Sequence, residues 1–354
     1  MPTVINPTGN TGSRVGTILS TGSAPELYDL QKRMIEKNAA LKSVADQYSN
    51  ALFALYKKDP FNGDGEFKTL TEFDVETYAS EQPEGTTAKA IQFGIGRTFN
   101  FSYTDYGVQF TATNRALMNA NRHRDLISSI TNLTKTLHER RYLDGVHRLT
   151  FGVAASFVNR DGRTVATTGV DGLSIFNSAH TLPFSTTTFS NLVPSNAVLG
   201  KAGILAAQNM FKTSVFNLFG EQKRITPNTL IITDDATAQY NARQIYGSST
   251  EVGQSNSNVI NALNPLKIVV LAMLDSDANG NYDSSKKDAW IMGRFGGMDG
   301  VDMRYCERYG IQTFPTIQSN DTARTTIWSA GAGYEFVILS GVGMVWSLGT
   351  GIGY

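Results

Sequence analysis

The chain has 354 residues with 31 Lys+Arg against 31 Asp+Glu, four His and one Cys, so its formal charge is zero and any field must come from local clustering. That excludes a polycationic nucleic-acid binder, and an apolar content of 41% excludes a wholly disordered chain, while the length suggests about two globular units. The lone thiol, Cys306, can close no internal disulfide and cannot supply a Cys-rich zinc site.

The opening MPTVINPTGNTGS has no basic region followed by an apolar core. No stretch approaches roughly 18 uninterrupted apolar residues, so a soluble protein without a secretion signal is expected. From Pro2 to Gly22 the chain is rich in Thr, Gly, Asn, Ser and Pro, a composition that cannot offset backbone ordering and predicts a mobile arm unless a neighbour orders it. Ser23 and Glu26 then form a capping-box pattern, with Pro25 in the first turn and Asp59-Pro60 as the stop. Leu27, Leu30, Met34, Leu41, Val44, Tyr48, Leu52 and Leu55 recur at helical spacing as one apolar stripe. Either its own domain or another subunit covers it.

Residues 67–112 change to a period of two, with Phe73, Val75, Thr77 and Ala79 on one run and Ile91, Phe93 and Ile95 on the next. The polar link SEQPEGTTAKA, with Pro83 and Gly85, joins them as a long hairpin. An isolated two-stranded hairpin is marginal in water, so this one packs on the body or reaches to another chain.

A second helix is predicted from about Asn114 to Arg148, its buried side marked by Ile127, Ile130, Leu133, Leu137, Leu143, Val146 and Leu149. Between Arg115 and Arg148 seven Lys/Arg stand against three Asp/Glu, a local net of +4 and the clearest charge bias in the chain. A solvated helix face explains it, and a phosphate-facing surface is the sharper alternative.

Beyond it, FVNRDGRTV reads as a hairpin turning at Asp161-Gly162, and GLSIFNSAHTLPFSTTTF as loop and short strands. A helical pattern follows from Ala197 to Phe219, carried by Leu199, Ile204, Leu205 and Phe211. Then come the strand TLIIT, the helix ATAQYNARQIYG, a Ser/Asn-rich loop, and the strands KIVVLAML and DAWIMGRF. Helices beside a small mixed sheet make an α+β unit. From Val301 the chain is strand-like, rich in β-branched and aromatic residues.

The usual catalytic signatures G-x-S-x-G, H-E-x-x-H and G-x-x-x-x-G-K-[ST] are missing, which lowers the prior for an enzyme, so no catalytic residue and no cofactor is expected. His123, His138, His147 and His180 read as structural or surface groups. In DSDANGNYDSSK, Asp275, Asp277, Asn279, Gly280 and Asp283 fall where a calcium loop places its ligands and turn, but Lys286 stands where that loop needs a bidentate Glu. A polar hairpin tip on Asn279-Gly280 explains the string better. Gly94 and Gly96 form a G-x-G inside a strand, where glycines mark a bulge or a close backbone approach rather than a phosphate cradle.

Four stretches, taken in order, resemble the major capsid protein of tailed phages, the Hong Kong 97-type fold. YGVQFTATNRALMNANRHRDLISSITNLTKTLHERRYLDGVHRL is similar to the segment leading into and forming that family's spine helix, and GLSIFNSAHT to the strand and loop after it. ITPNTLIITDDATAQYNARQIYGSS resembles the strand-then-helix element of its axial domain. VVLAML…DAWIMGRF, followed by VDMRYCERYGIQTF, resembles that domain's hairpin and the return to the peripheral domain.

The resemblance implies an N-terminal arm at 1–63, an extended hairpin loop at 64–102, a peripheral domain at 103–196 and 299–345 with the spine helix at 114–148, and an axial domain at 197–298 and 346–354. It implies a structural homo-oligomer of pentamers and hexamers that forms an icosahedral virion shell around non-specifically held double-stranded DNA. Assembly in the bacterial cytoplasm with portal, separate scaffold and decoration proteins, and without a membrane, completes that picture.

Leu27, Leu30, Met34, Leu41, Phe73, Val75, Ile91 and Phe93 are the expected inter-subunit contacts. Arg115, Arg122, Arg124, Arg140, Arg141 and Arg148 are the expected lumen-facing DNA contacts. Deletion of residues 1–57 is expected to abolish shells and leave the core folded. An encapsulin-like compartment and an α+β enzyme with a dispersed site are the rival readings.

Overall fold

The structure, a computed structural model, describes residues 50–60, 67–76, 78–113, 123–246, 265–296, 300–314, 317–319 and 325–350, with the backbone alone described at 60, 112, 123–132, 317–319 and 326. In chain order the elements are β1 (Lys57–Pro60), β2 (Phe67–Val75), β3 (Phe93–Ser102), β4 (Thr104–Thr113), α1 (His123–Thr150), β5 (Ser156–Val158), β6 (Thr164–Ala166), β7 (His180–Leu182) and β8 (Ser185–Phe189). There follow α2 (Lys201–Thr213), β9 (Thr229–Ile232), α3 (Ala236–Tyr246), β10 (Lys267–Val270), β11 (Trp290–Gly293), β12 (Met303–Thr313), β13 (Ile317–Ser319), β14 (Thr325–Ile338) and β15 (Met344–Ser347). The mixture of helix and strand is the α+β class expected.

The chain divides into two compact units, of which the first contains 104–142 and 307–334. Its strands β4 and β14 pair antiparallel from Thr113 opposite Thr325 to Thr104 opposite Tyr334. The small run Ser329–Gly333 on β14 lets aromatic rings of β12 and the residue after it lie over it: a Cβ on Gly331 would meet the Phe314 ring at 2.8 Å, and one on Gly333 the Tyr309 ring at 2.6 Å. Tyr106 stacks on Tyr334 with centroids 4.7 Å apart, and Phe110 lies 5.9 Å from Trp328.

The second unit contains 51–103, 143–306 and 335–350 among the described residues. Its sheet runs β10-β9-β11-β15 and is mixed, because β10 joins β9 in parallel while β9–β11 and β11–β15 are antiparallel. Every residue of β9, β11 and β15 is buried, which is why these strands read as unbroken apolar runs. On one face Leu230, Ile232, Trp290, Met292 and Val345 pack with Ile204 and Phe211 of α2 and Ala242 of α3. The Trp290 indole N–H donates to the Ala197 carbonyl at 3.0 Å, so the ring is buried with its polar atom satisfied.

The second core of this unit forms around the C-terminal half of α1. Leu143, Val146, His147, Leu149 and Thr150 are all buried there. Leu52 and Phe336 press so closely on Gly145 that a Cβ would stand 2.7 and 2.9 Å from them, and the Tyr56 hydroxyl donates to the Gly145 carbonyl at 2.9 Å.

This packing moves two boundaries. The arm expected at 1–63 ends earlier: Leu52, Leu55 and Tyr56 are core residues, and β1 lies against β12 in a sheet. A cut at residue 57 would therefore remove core, not arm alone, which corrects the expected outcome of that deletion. The strand expected over KIVVLAML stops at Val270, where Leu271–Leu274 turns and Met273 takes a φ of 69°. Leu205, placed on the buried side of α2 by spacing, is exposed.

Candidate functional site

The hairpin β2–β3 has two unlike faces. Its register runs from Phe67 opposite Ser102 to Thr71 opposite Thr98, then shifts so that Phe73 opposes Ile95 and Val75 opposes Phe93. The shift places Gly96 and Arg97 opposite the single residue Glu72, a β-bulge on β3. Without it the side chains beyond would change faces. With it, Phe67, Phe73, Phe93 and Ile95 all lie on the outer face, each between 66% and 71% exposed. Phe73 and Phe93 stack at 6.1 Å, and Tyr78 and Ile91 extend the exposed apolar surface towards the tip. Pro83–Thr86 closes the tip as a turn with Gly85 at φ 78°.

The inner face is covered. Leu70, Phe99 and Phe101 join Cys306, Val337 and Leu339 in a small core, and burial pushes the Cys306 thiol up to about 12. Further out, Gly94 and Gly96 carry no side chain because the body of the unit comes up against them. A Cβ on Gly94 would lie 2.8 Å from the Phe219 ring and 2.9 Å from that of Phe184; one on Gly96 would lie 2.8 Å from Glu72 across the bulge and 3.0 Å from Leu218. Of the two readings of the G-x-G, the close backbone approach holds at Gly94, and Gly96 also stands at the bulge opposite Glu72.

Polar contacts flank them. Lys223 Nζ donates to Asp74 Oδ1 at 2.8 Å and the Leu218 N–H to Asp74 Oδ2 at 3.3 Å, while the Arg97 guanidinium reaches the Thr181 carbonyl at 2.9 Å and its hydroxyl at 3.0 Å. Beside Thr181, His180 is buried with Nδ1 2.7 Å from Asp171 Oδ2 and Nε2 3.1 Å from the Ile175 carbonyl. Burial raises the Asp171 carboxyl, but the contact with His180, the Leu173 N–H and the Arg97 guanidinium together outweigh it and hold the group below its ordinary value.

Of the expected contacts, Phe73, Ile91 and Phe93 are exposed on this hairpin and Val75 is half-buried beside them. Leu27, Leu30, Met34 and Leu41 lie outside the described residues. Phe67, Ile95 and Tyr78 were not among the expected contacts. The period-two phase from Phe67 through Phe73 could have found the first, whereas Ile95 shares a face with Phe67 only through the bulge.

The basic helix is less open than its composition suggests. The Arg148 guanidinium is bound to Glu335 and to the Ala166 carbonyl, with the Arg148 and Glu335 side chains 12% and 11% exposed, because most of this end of α1 is buried. Arg148, expected as a lumen-facing DNA contact, thus has its charge engaged within its own unit. Arg140 stands over the Tyr106 ring at 5.1 Å and Arg141 reaches His138 Nδ1 at 3.1 Å, both half-buried. Arg115 and Arg122, and the Arg124 side chain, lie outside the described residues.

The calcium-like string is a turn held by its own hydrogen bonds. Asp277 accepts from the Asn279 and Asn281 N–H groups at 2.9 and 2.8 Å, Gly280 takes φ 88°, and Ser276 bridges Tyr282 as in a hairpin. Asp283 accepts from the Ser285 N–H and pairs with Lys286 at 3.2 Å. Among the described residues no group of three His, Cys, Asp or Glu, Asp275, Asp277 and Asp283 included, is arranged to hold a metal. The turn instead braces α1: Ser276 Oγ accepts from His147 Nε2 at 3.0 Å, and Lys286 lies over Phe151 at 4.3 Å. Among the described residues no helix is long and apolar enough to cross a membrane.

No family model matches this sequence, and no curated protein is similar to it. Among solved structures the chain is similar to one from the capsid of Myoviridae phage XM1, with 8% identity and a TM-score of 0.46 over 84% of this chain and 90% of that one. It is also similar to a chain of the satellite phage P4 procapsid that includes the size determination protein, with 10% identity and a TM-score of 0.42 over 87% and 97%. A third similar structure is a phage-related protein from Bordetella bronchiseptica RB50, with 11% identity and a TM-score of 0.44 over 88% and 97%.

Proposed function

We propose that this chain is a major capsid protein, a structural subunit that assembles as pentamers and hexamers into an icosahedral phage head around double-stranded DNA. The outer face of the β2–β3 hairpin carries the reading: four large apolar side chains stand in water, on a ribbon of two strands and in phase with one another. Covering Phe73, Phe93 and Ile95 on a neighbouring copy contributes roughly 3–6 kcal/mol before ordering costs are subtracted. One such contact is weak. A closed shell multiplies it, since each subunit engages several neighbours at once.

Neutral overall charge suits a container whose attraction to DNA is weak and independent of sequence. Among the described residues Arg140 and Arg141 remain the candidates for that attraction. Negative-stain microscopy of the purified chain tests the reading. Closed particles holding nuclease-protected DNA are expected; closed particles carrying protein cargo and no DNA would favour a cellular compartment, and a dispersed monomer would remove the shell role.

A further inference from the structure

Gly94 lies directly on a pair of stacked rings, Phe184 and Phe219, whose centroids are 5.4 Å apart. On either side of this point each strand of the hairpin sends one polar side chain down to the same segment, 181–223: Asp74 of β2 to Lys223 and the Leu218 N–H, and Arg97 of β3 to Thr181. A bare backbone on a flat aromatic support leaves the ribbon free to rock. One clasp on each strand stops it in both directions. The glycine is costly to the strand in itself, since glycine weakens strand interiors and a β-branched residue strengthens them. Its presence where the ribbon meets the rings shows which requirement dominates.

We propose that the Phe184–Phe219 stack and the Asp74–Lys223 and Arg97–Thr181 clasps form a joint that positions the hairpin, fixing the direction in which its outer face meets a neighbouring copy. The inference rests on the shell reading for what the positioning serves, and on local geometry alone for the joint itself. These are positioning residues: they lie on the side of the hairpin opposite its outer face.

Gly94→Val in the full-length chain separates the two possible roles of the glycine. If the joint holds the hairpin, the valine lifts it off the rings, and amide exchange across β2 and β3 becomes at least about tenfold faster, while β9 and β11 stay as they were. Adding Phe184→Ala and Phe219→Ala to that variant makes room and is expected to slow the exchange again. Lys223→Met removes one clasp without adding volume and is expected to speed exchange of the same amides by about threefold. Unchanged or slower exchange in Gly94→Val would overturn the joint.

Microscopy of the same variants reads the consequence. Loss of particles, or particles of altered diameter, is expected. Wild-type particles from a chain whose hairpin has loosened would overturn the positioning role and leave self-assembly standing. A wild-type chain that forms no particles would instead bring down the shell reading on which that role depends.

Discussion

Arg148 shows how a side chain's setting decides its role. In sequence it is one of seven cations on a basic stretch; in the structure it is the inner partner of Glu335, with Arg163 at 3.6 Å as a more exposed second cation. Removing one partner of a buried pair strands the other, so Arg148→Met is expected to cost about 3 kcal/mol in denaturant unfolding. Loss of less than roughly 1 kcal/mol would mean that the pair behaves as a surface ion pair does. The partners are 187 residues apart, which is why no local pattern pointed from one to the other. Cys306 is similar: its count excluded a disulfide framework, but its burial beneath the hairpin depended on contacts with Leu70 and Val337 that only the fold brings together.

Among the elements, strands and helices with strong periodicity were legible, and their seams were not. Period two found β2 and β3, and turn chemistry found the Asp161-Gly162 hairpin, where Gly162 takes φ 77°. The bulge opposite Glu72 falls at Gly96, where the G-x-G offers a bulge as one reading, but no local pattern gives the register shift by which it keeps Phe67 in phase with Ile95. The stripe from Leu27 to Leu55 runs on without a break, so periodicity could not tell that Leu52 and Leu55 are covered by their own body.

Gly145 is the sharpest test of packing at this scale. In an open helix, alanine in its place would add about 1 kcal/mol of stability. Here Leu52 and Phe336 already occupy the space, both fully buried, and overpacking typically costs about 1–3 kcal/mol. Gly145→Ala is therefore expected to lower stability by about 1 kcal/mol, and a gain measured by thermal or denaturant unfolding would show that this end of α1 is looser than its contacts imply.

For the whole molecule, the hydrophobic surface that the subunit leaves in water is decisive. A two-stranded ribbon with exposed aromatic side chains, paired with no third strand among the described residues, is a liability in a solitary protein and an asset in one that closes into a shell. Most direct is sedimentation velocity of the wild-type chain beside the variant Phe73→Ser, Phe93→Ser and Ile95→Ser at the same concentrations. These substitutions alter exposed side chains only, so far-ultraviolet circular dichroism should not change. The wild type is predicted to sediment as particles far heavier than one 38.5 kDa chain, and the variant at the mass of single subunits or small oligomers. A wild type that stays monomeric at high concentration, or a variant that assembles as the wild type does, would contradict the account.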